Sequence, residues 1–299
     1  MKDWDSKTHI DYVRQLVSRG GPESEQYQEL HQWSRQFYAA SDAGSFNGET
    51  LPALREAMSP VLYPETMHGY AYRKPRGYPG DFELIDRHYL SYICPDSRLA
   101  KWDRFWHASR ASRAVRNRKD YFHNLLQQRC SDRHGKRLNI LNIASGSGRD
   151  IFEFLSSTNA EVHFDCIDHD QNAIDFASNL CSAFPDRVTF TKSNVVRFHL
   201  GKQYDLIWAA GLFDYFNDAL FKRVLRRLLG SMEPGGQLVI GNFSPNNPNI
   251  AWLRFVEWHL HHRSEGQLRA IAIESGVSAD RIRIGQEPEG VNLFLHIHN

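Results

Sequence analysis

The sequence is poor in cysteine, in long apolar runs and in net charge, and each shortage excludes something. Only 4 cysteines occur in 299 residues, Cys94, Cys130, Cys166 and Cys181, and no two form a CxxC pair. That pattern excludes a disulfide scaffold or a zinc ribbon and suits a reducing, cytoplasmic setting. No apolar run approaches the roughly 20 residues of a membrane span. The opening Met1-Lys2-Asp3-Trp4-Asp5-Ser6 has no apolar core of a secretion signal. With 36 Lys and Arg against 35 Asp and Glu, the formal charge is +1, which argues against a strongly basic nucleic-acid binder. There is no repeat and no low-complexity tract. What is present is 41% hydrophobic residues, enough for a packed core.

The texture changes near residue 136, predicting a helical region over 1–135 and an α/β domain over 136–299. In the first part, Ile10, Val13 and Val17 place a helix over 5–19. Tyr27, Leu30, Trp33 and Phe37 place another over 23–40. Shorter helices are expected over 54–58 and 81–93, and Asp96 is expected to cap one long helix running towards Cys130. Beyond 136, β-rich runs alternate with helical stretches. The runs are Leu138–Ala144, Val162–Ile167, Val188–Thr191, Leu206–Ala210, Leu238–Ile240, Ile282–Ile284 and Val291–Ile297. Such alternation predicts a doubly wound, Rossmann-like sheet.

The first run passes straight into Ser145-Gly146-Ser147-Gly148 and then a helical stretch. Glycines there let backbone approach a ligand, and the following helix offers free N–H groups. Twenty positions after Gly148, the second strand ends at Asp168, where a carboxylate can accept from both hydroxyls of a ribose. Ile151 stands where a dinucleotide fingerprint needs a third small residue.

This series resembles the first two motifs of class I S-adenosylmethionine (SAM)-dependent methyltransferases. Asn194 after the third strand, Tyr204–Ala210 as the fourth, and the Glu233-Pro234-Gly235-Gly236 turn extend the resemblance over about 138–299. It implies a seven-stranded sheet with an N-terminal helical lid, and SAM as co-substrate. Residues implied around SAM are Ala144, Ser145, Gly146, Ser147, Gly148, Asp168, His169, Asn194, Val195, Ala210, Gly211 and Phe213. Asn194 matches the position that bonds the adenine amino group. Three further segments, Arg73–Asp81, Gly211–Phe216 and Gly241–Pro248, resemble a bacterial group that makes 3-hydroxy fatty acid methyl esters, which implies carboxyl O-methylation of an acyl chain. Ser147 stands where that group carries proline.

Methyl transfer requires a positioned nucleophile and a water-poor site. Aromatic faces suit the cationic sulfonium, which makes Tyr72 or Tyr78, with Phe213 or Tyr215, candidate walls. Arg76 could hold a carboxylate of the acceptor or of SAM. Asp214 could bond the methionine amine or act as a base. Asp81 reads equally well as a helix cap, and Asn242 and Ser244 as turn residues. The expected acceptor is a small molecule, a carboxylic acid or acyl conjugate. Two other readings stay open. In one, SAM is cyclised to an azetidine-type amino acid with release of methylthioadenosine. In the other, the basic stretch 98–137, including Arg133, binds RNA, although a helix with a solvated basic face is the plainer reading. The 15 histidines show no zinc motif, so no metal is expected; His259, His261 and His262 read as helical.

Overall fold

The computed structural model describes residues 5–132, 136–198 and 201–299; Met1 to Trp4 and Arg133 lie outside this set. Seven helices come first: α1 (Ser6–Ser18), α2 (Tyr27–Asp42), α3 (Thr50–Ala57), α4 (Met67–Arg73), α5 (Phe82–Tyr89), α6 (Ala100–Ala108) and α7 (Arg110–Asp132). Then follow β1 (Leu138–Ile143), α8 (Arg149–Ser157), β2 (Val162–Asp168), α9 (Gln171–Leu180), β3 (Val188–Lys192), β4 (Tyr204–Ala209) and α10 (Asp218–Leu229). The chain closes with β5 (Met232–Phe243), α11 (Ile250–Phe255), α12 (Glu265–Glu274), β6 (Ile282–Gln286) and β7 (Asn292–His298). Two compact units result, Met1–Arg113 with Pro248–His259, and Ala114–Asn247 with Leu260–Asn299.

In the helical unit, side-chain caps set the helix starts. Asp5 accepts from Thr8 N at 2.8 Å, Thr66 from Gly69 N at 2.9 Å, and Asp81 from Glu83 N and Leu84 N, both at 3.0 Å. Asp81 is thus a cap. A Cβ at position 69 would lie 1.8 Å from Tyr63 O, so only glycine lets α4 rest on the preceding turn. The single long helix expected from Asp96 is instead a turn and two helices. Asp96 accepts from Arg98 N at 2.9 Å. The break falls at Ser109, whose backbone is extended and whose hydroxyl accepts from Ser112 N at 3.2 Å, opening α7 afresh.

The sheet unit has the strand order β3-β2-β1-β4-β5-β7-β6. The first five strands are parallel, and β7 runs antiparallel to both neighbours. Alternation along each strand divides the core. Leu138, Ile140, Leu206 and Trp208 pack with Phe122 and Leu126 of α7 and Phe154 of α8. Leu141, Ile143, Ile207 and Leu238 pack with Phe221 and Leu225 of α10 and Leu268 of α12. His259, His261 and His262 are not helical: α11 ends at Phe255, and they lie in irregular chain before α12. The basic face of α7 is also less solvated than expected. Arg113 donates to Ala108 O, Arg118 to Ala210 O, and Arg129 to Asp205 O and Gly235 O, while Lys119 pairs with Glu153.

Candidate active site at the carboxyl edge of the sheet

In the loop after β1 every second residue is left-handed. Ala144, Gly146 and Gly148 have φ of 55°, 57° and 65°. Glycine adopts this freely, whereas Ala144 carries a Cβ there at a cost of about 1–2 kcal/mol. A Cβ at Gly148 would lie 3.0 Å from Ala177 Cβ, so the loop lies close against α9. Asp168 braces it. One carboxylate oxygen accepts from Gly146 N and the other from Asp170 N, both at 3.0 Å. His169, largely exposed, lies 3.3 Å from Asp168, and that hydrogen bond raises its pKa. Ser147 is buried within the loop.

Two polar groups here have no partner. Asn142 is 3% exposed, and its Nδ2 makes no hydrogen bond; neither does Oγ of the buried Ser145. Arg118 is buried nearby, donating to Ala210 O at 3.1 Å, and a Cβ on Gly211 would lie 3.1 Å from its Nη1. Asp150, at the start of α8, is pushed up by burial, with His123 and Arg118 acting against that shift. Asn142, Arg118 and Asp150 escaped the sequence reading. For Arg118 a signal existed: it shares the apolar stripe of Ala114, Val115, Phe122 and Leu126.

The segment after β4 is held differently. Phe213 is fully buried, its ring centroid 4.5 Å from that of Phe221. Asp214 is 2% exposed and accepts from Phe243 N at 2.6 Å. Burial pushes its carboxyl up to about 7, against the backbone hydrogen bond and the charges of Arg118 and Arg263. Arg263 donates to Phe213 O, Phe216 O and Asn242 Oδ1 and pairs with Asp218, clamping the segment that carries half-buried Tyr215. Asn242 donates to Phe243 O and His261 O, and Ser244 to Gly290 O, so both tie the end of β5 to other loops and do more than shape the turn before Pro245. After β3, Asn194 is exposed and accepts from Val196 N at 2.9 Å, with Val195 half-buried beside it.

The structure therefore gathers 142–150 with Asp168 and Arg118, and Ala210 to Tyr215 with Arg263. Tyr72, Arg76 and Tyr78 belong to the helical unit. Tyr72 lies on α4 with the Arg55 guanidinium 5.2 Å from its ring centroid. Arg76 pairs with Glu83 at 3.2 Å and lies over the Phe82 ring. Tyr78 is half-buried in the loop before α5.

Residues 140–236 match the family model described as a methyltransferase domain, about a third of the chain. No curated protein matches the chain by sequence. Among solved structures, a possible exported protein from Bordetella parapertussis aligns with 18% identity over 99% of this chain and 97% of its own, with a TM-score of 0.66. The CMeT domain of citrinin polyketide synthase aligns with 14% identity over 93% and 79%, at 0.53. Magnesium protoporphyrin IX methyltransferase from Synechocystis PCC 6803 aligns with 13% identity over 73% and 100%, at 0.51. These likenesses are of fold. The family match thus spans the chain from β1 to the turn within β5 as a segment similar to a methyltransferase domain. Among the described residues no helix is long and apolar enough to cross a membrane.

Proposed function

We propose that the protein transfers the methyl group of SAM to an oxygen of a small carboxylic acid or acyl conjugate. When bound, SAM supplies an electrophilic methyl on a sulfonium. The observation that carries this reading is the unpartnered pair Asn142 Nδ2 and Ser145 Oγ beside buried Arg118. Unmade hydrogen bonds in a buried site are costly, and this set complements the charged amino-acid end of SAM. Arg118 would hold the carboxylate, and Asp168 would accept from the ribose hydroxyls with its remaining lone pairs. A carboxylate acceptor needs no base, so positioning and exclusion of water would do the work. Tyr72, Tyr78 and Arg76 are proposed to act on the acceptor, a role read as lost turnover at unchanged SAM affinity. Four free cysteines support a cytoplasmic setting.

One observation favours a second reading. Asp214, with its carboxyl pushed up to about 7, is matched to taking a proton from an amine near neutral pH, as cyclisation of the methionine part would require. The test is incubation of the protein with SAM, with and without a panel of carboxylic acids, followed by mass spectrometry of nucleosides. Acceptor-dependent S-adenosylhomocysteine is the expected result. Enzyme-dependent methylthioadenosine without acceptor would replace the methyltransferase reading by the second, and intact SAM throughout would sink both.

A further inference from the structure

β3 is an edge strand of the sheet, so the chain that leaves it has a strand on one side only. Ser193 N donates to Asp168 O at 2.7 Å, which ties the start of this chain to the end of β2. The next residues turn. Asn194 O accepts from Arg197 N at 2.9 Å and from Phe198 N at 2.8 Å, and Asn194 Oδ1 accepts from Val196 N at 2.9 Å. These bonds are local; they shape the turn without fixing where it sits. Val195, Val196 and Phe198 are half-buried against the core that includes Phe221, Val224 and Leu228 of α10.

The polar anchor is Arg227, half-buried in the last turn of α10. Its Nη1 donates to Val195 O at 3.2 Å and to Val196 O, and its Nη2 donates to Phe198 O. One guanidinium thus holds three carbonyls of the turn, a task for a planar fork and not for a point charge. Arg226, one position earlier, serves another part of the chain, donating to Glu274 O at 2.8 Å. What the turn presents is Asn194. Its side chain is exposed, and an amide oxygen has two lone pairs, so Oδ1 keeps one after accepting from Val196 N. With the ribose of SAM on Asp168, whose carbonyl bonds Ser193, the attached base lies beside the next residue, Asn194. A hydrogen bond to its 6-amino group needs about 2.7–3.2 Å between heavy atoms, so the placement of the turn decides whether the base is read.

We propose that Arg227 is a positioning residue for the nucleobase: it holds the 194–198 turn where Asn194 Oδ1 accepts from the 6-amino group of adenine. The proposal rests on the SAM reading. The test is calorimetric titration of S-adenosylhomocysteine and of S-inosylhomocysteine, which carries an oxygen in place of that amino group, into the full chain. The parent should prefer the adenosyl compound about tenfold, because the inosyl compound sets an acceptor against an acceptor. In Arg227→Met the adenosyl affinity should fall towards the inosyl affinity, which itself should barely change. Arg226→Met, from the same turn of helix, should keep the parent's preference. A role in stability alone would lower the melting temperature and leave the ratio of affinities where it was. An unchanged ratio in Arg227→Met, an equal loss in Arg226→Met, or a parent without preference would overturn the assignment of Arg227 while leaving SAM binding intact. A parent that binds neither compound would instead remove the SAM reading, and this proposal with it. Should Arg227→Met not fold, Arg227→Lys keeps the charge but not the fork. Its ratio should also shrink, and an undiminished preference would equally overturn the assignment.

Discussion

The two units bury a carboxylate in contrasting ways. Asp103, in the helical unit, accepts two backbone N–H groups and ties α4 and the 94 region to α6. Asp214, in the sheet unit, accepts one, from Phe243, between the charges of Arg118 and Arg263. Burial raises both, to about 6 and about 7. The difference lies in what surrounds them. Asp103 is a brace whose lone pairs are directed at backbone. Asp214 is at the carboxyl edge of a parallel sheet, where open α/β folds bind ligands, and it sits among groups whose charge a ligand would alter.

The comparison can be broken most forcefully at Asp103. Asp103→Ala strands two buried N–H groups and should cost about 3 kcal/mol, read by urea denaturation; a loss under about 1 kcal/mol would mean that the brace is dispensable. Next is Arg118→Met, expected to weaken SAM binding about tenfold or more, near 1.4 kcal/mol. Calorimetry would show it, and unchanged affinity would remove Arg118 from the site. Smaller still is Asp214→Asn, which keeps an oxygen for Phe243 N but cannot ionise. Both acids bind protons more tightly in the native chain than in the unfolded one, where the ordinary value is 3.8. Each therefore lowers stability as pH rises, Asp103 up to about 6 and Asp214 up to about 7. Asp214→Asn should flatten the fall between pH 5 and 7 and leave the variant the more stable at pH 8; an unaltered pH profile would refute the raised pKa. The smallest effect is expected from Ala144→Gly. Relief of a left-handed alanine, less the added freedom of the unfolded chain, should stabilise by about 0.5 kcal/mol in thermal melts.

How much was legible follows the same division. All seven strands were readable because each contains an apolar run interrupted by polar or turn residues, alternating with helical stretches. The glycine loop and Asp168 were readable because their chemistry is local and their spacing short. Arg118 was hidden among many basic residues in 98–137, because a count of charges does not say which one lies on the apolar stripe. The return of 248–259 to the helical unit was hidden too. Ala251, Trp252, Leu253 and Phe255 are apolar whichever unit buries them. The unpartnered state of the buried His68 ring was hidden as well, since a missing hydrogen-bond partner has no signature in sequence.

Gly69 has a consequence for how this protein can vary. Every other amino acid carries a Cβ, and at this position that atom would sit 1.8 Å from the Tyr63 carbonyl oxygen. No codon change at 69 is conservative, although the residue has no side chain to bind or react with anything. In a saturation-mutagenesis library, position 69 should be as depleted as a catalytic position. Variants that survive should carry a second change in the turn ending at Tyr63. Intolerance of substitution here would report a backbone contact, and reading it as chemistry would misplace the active site.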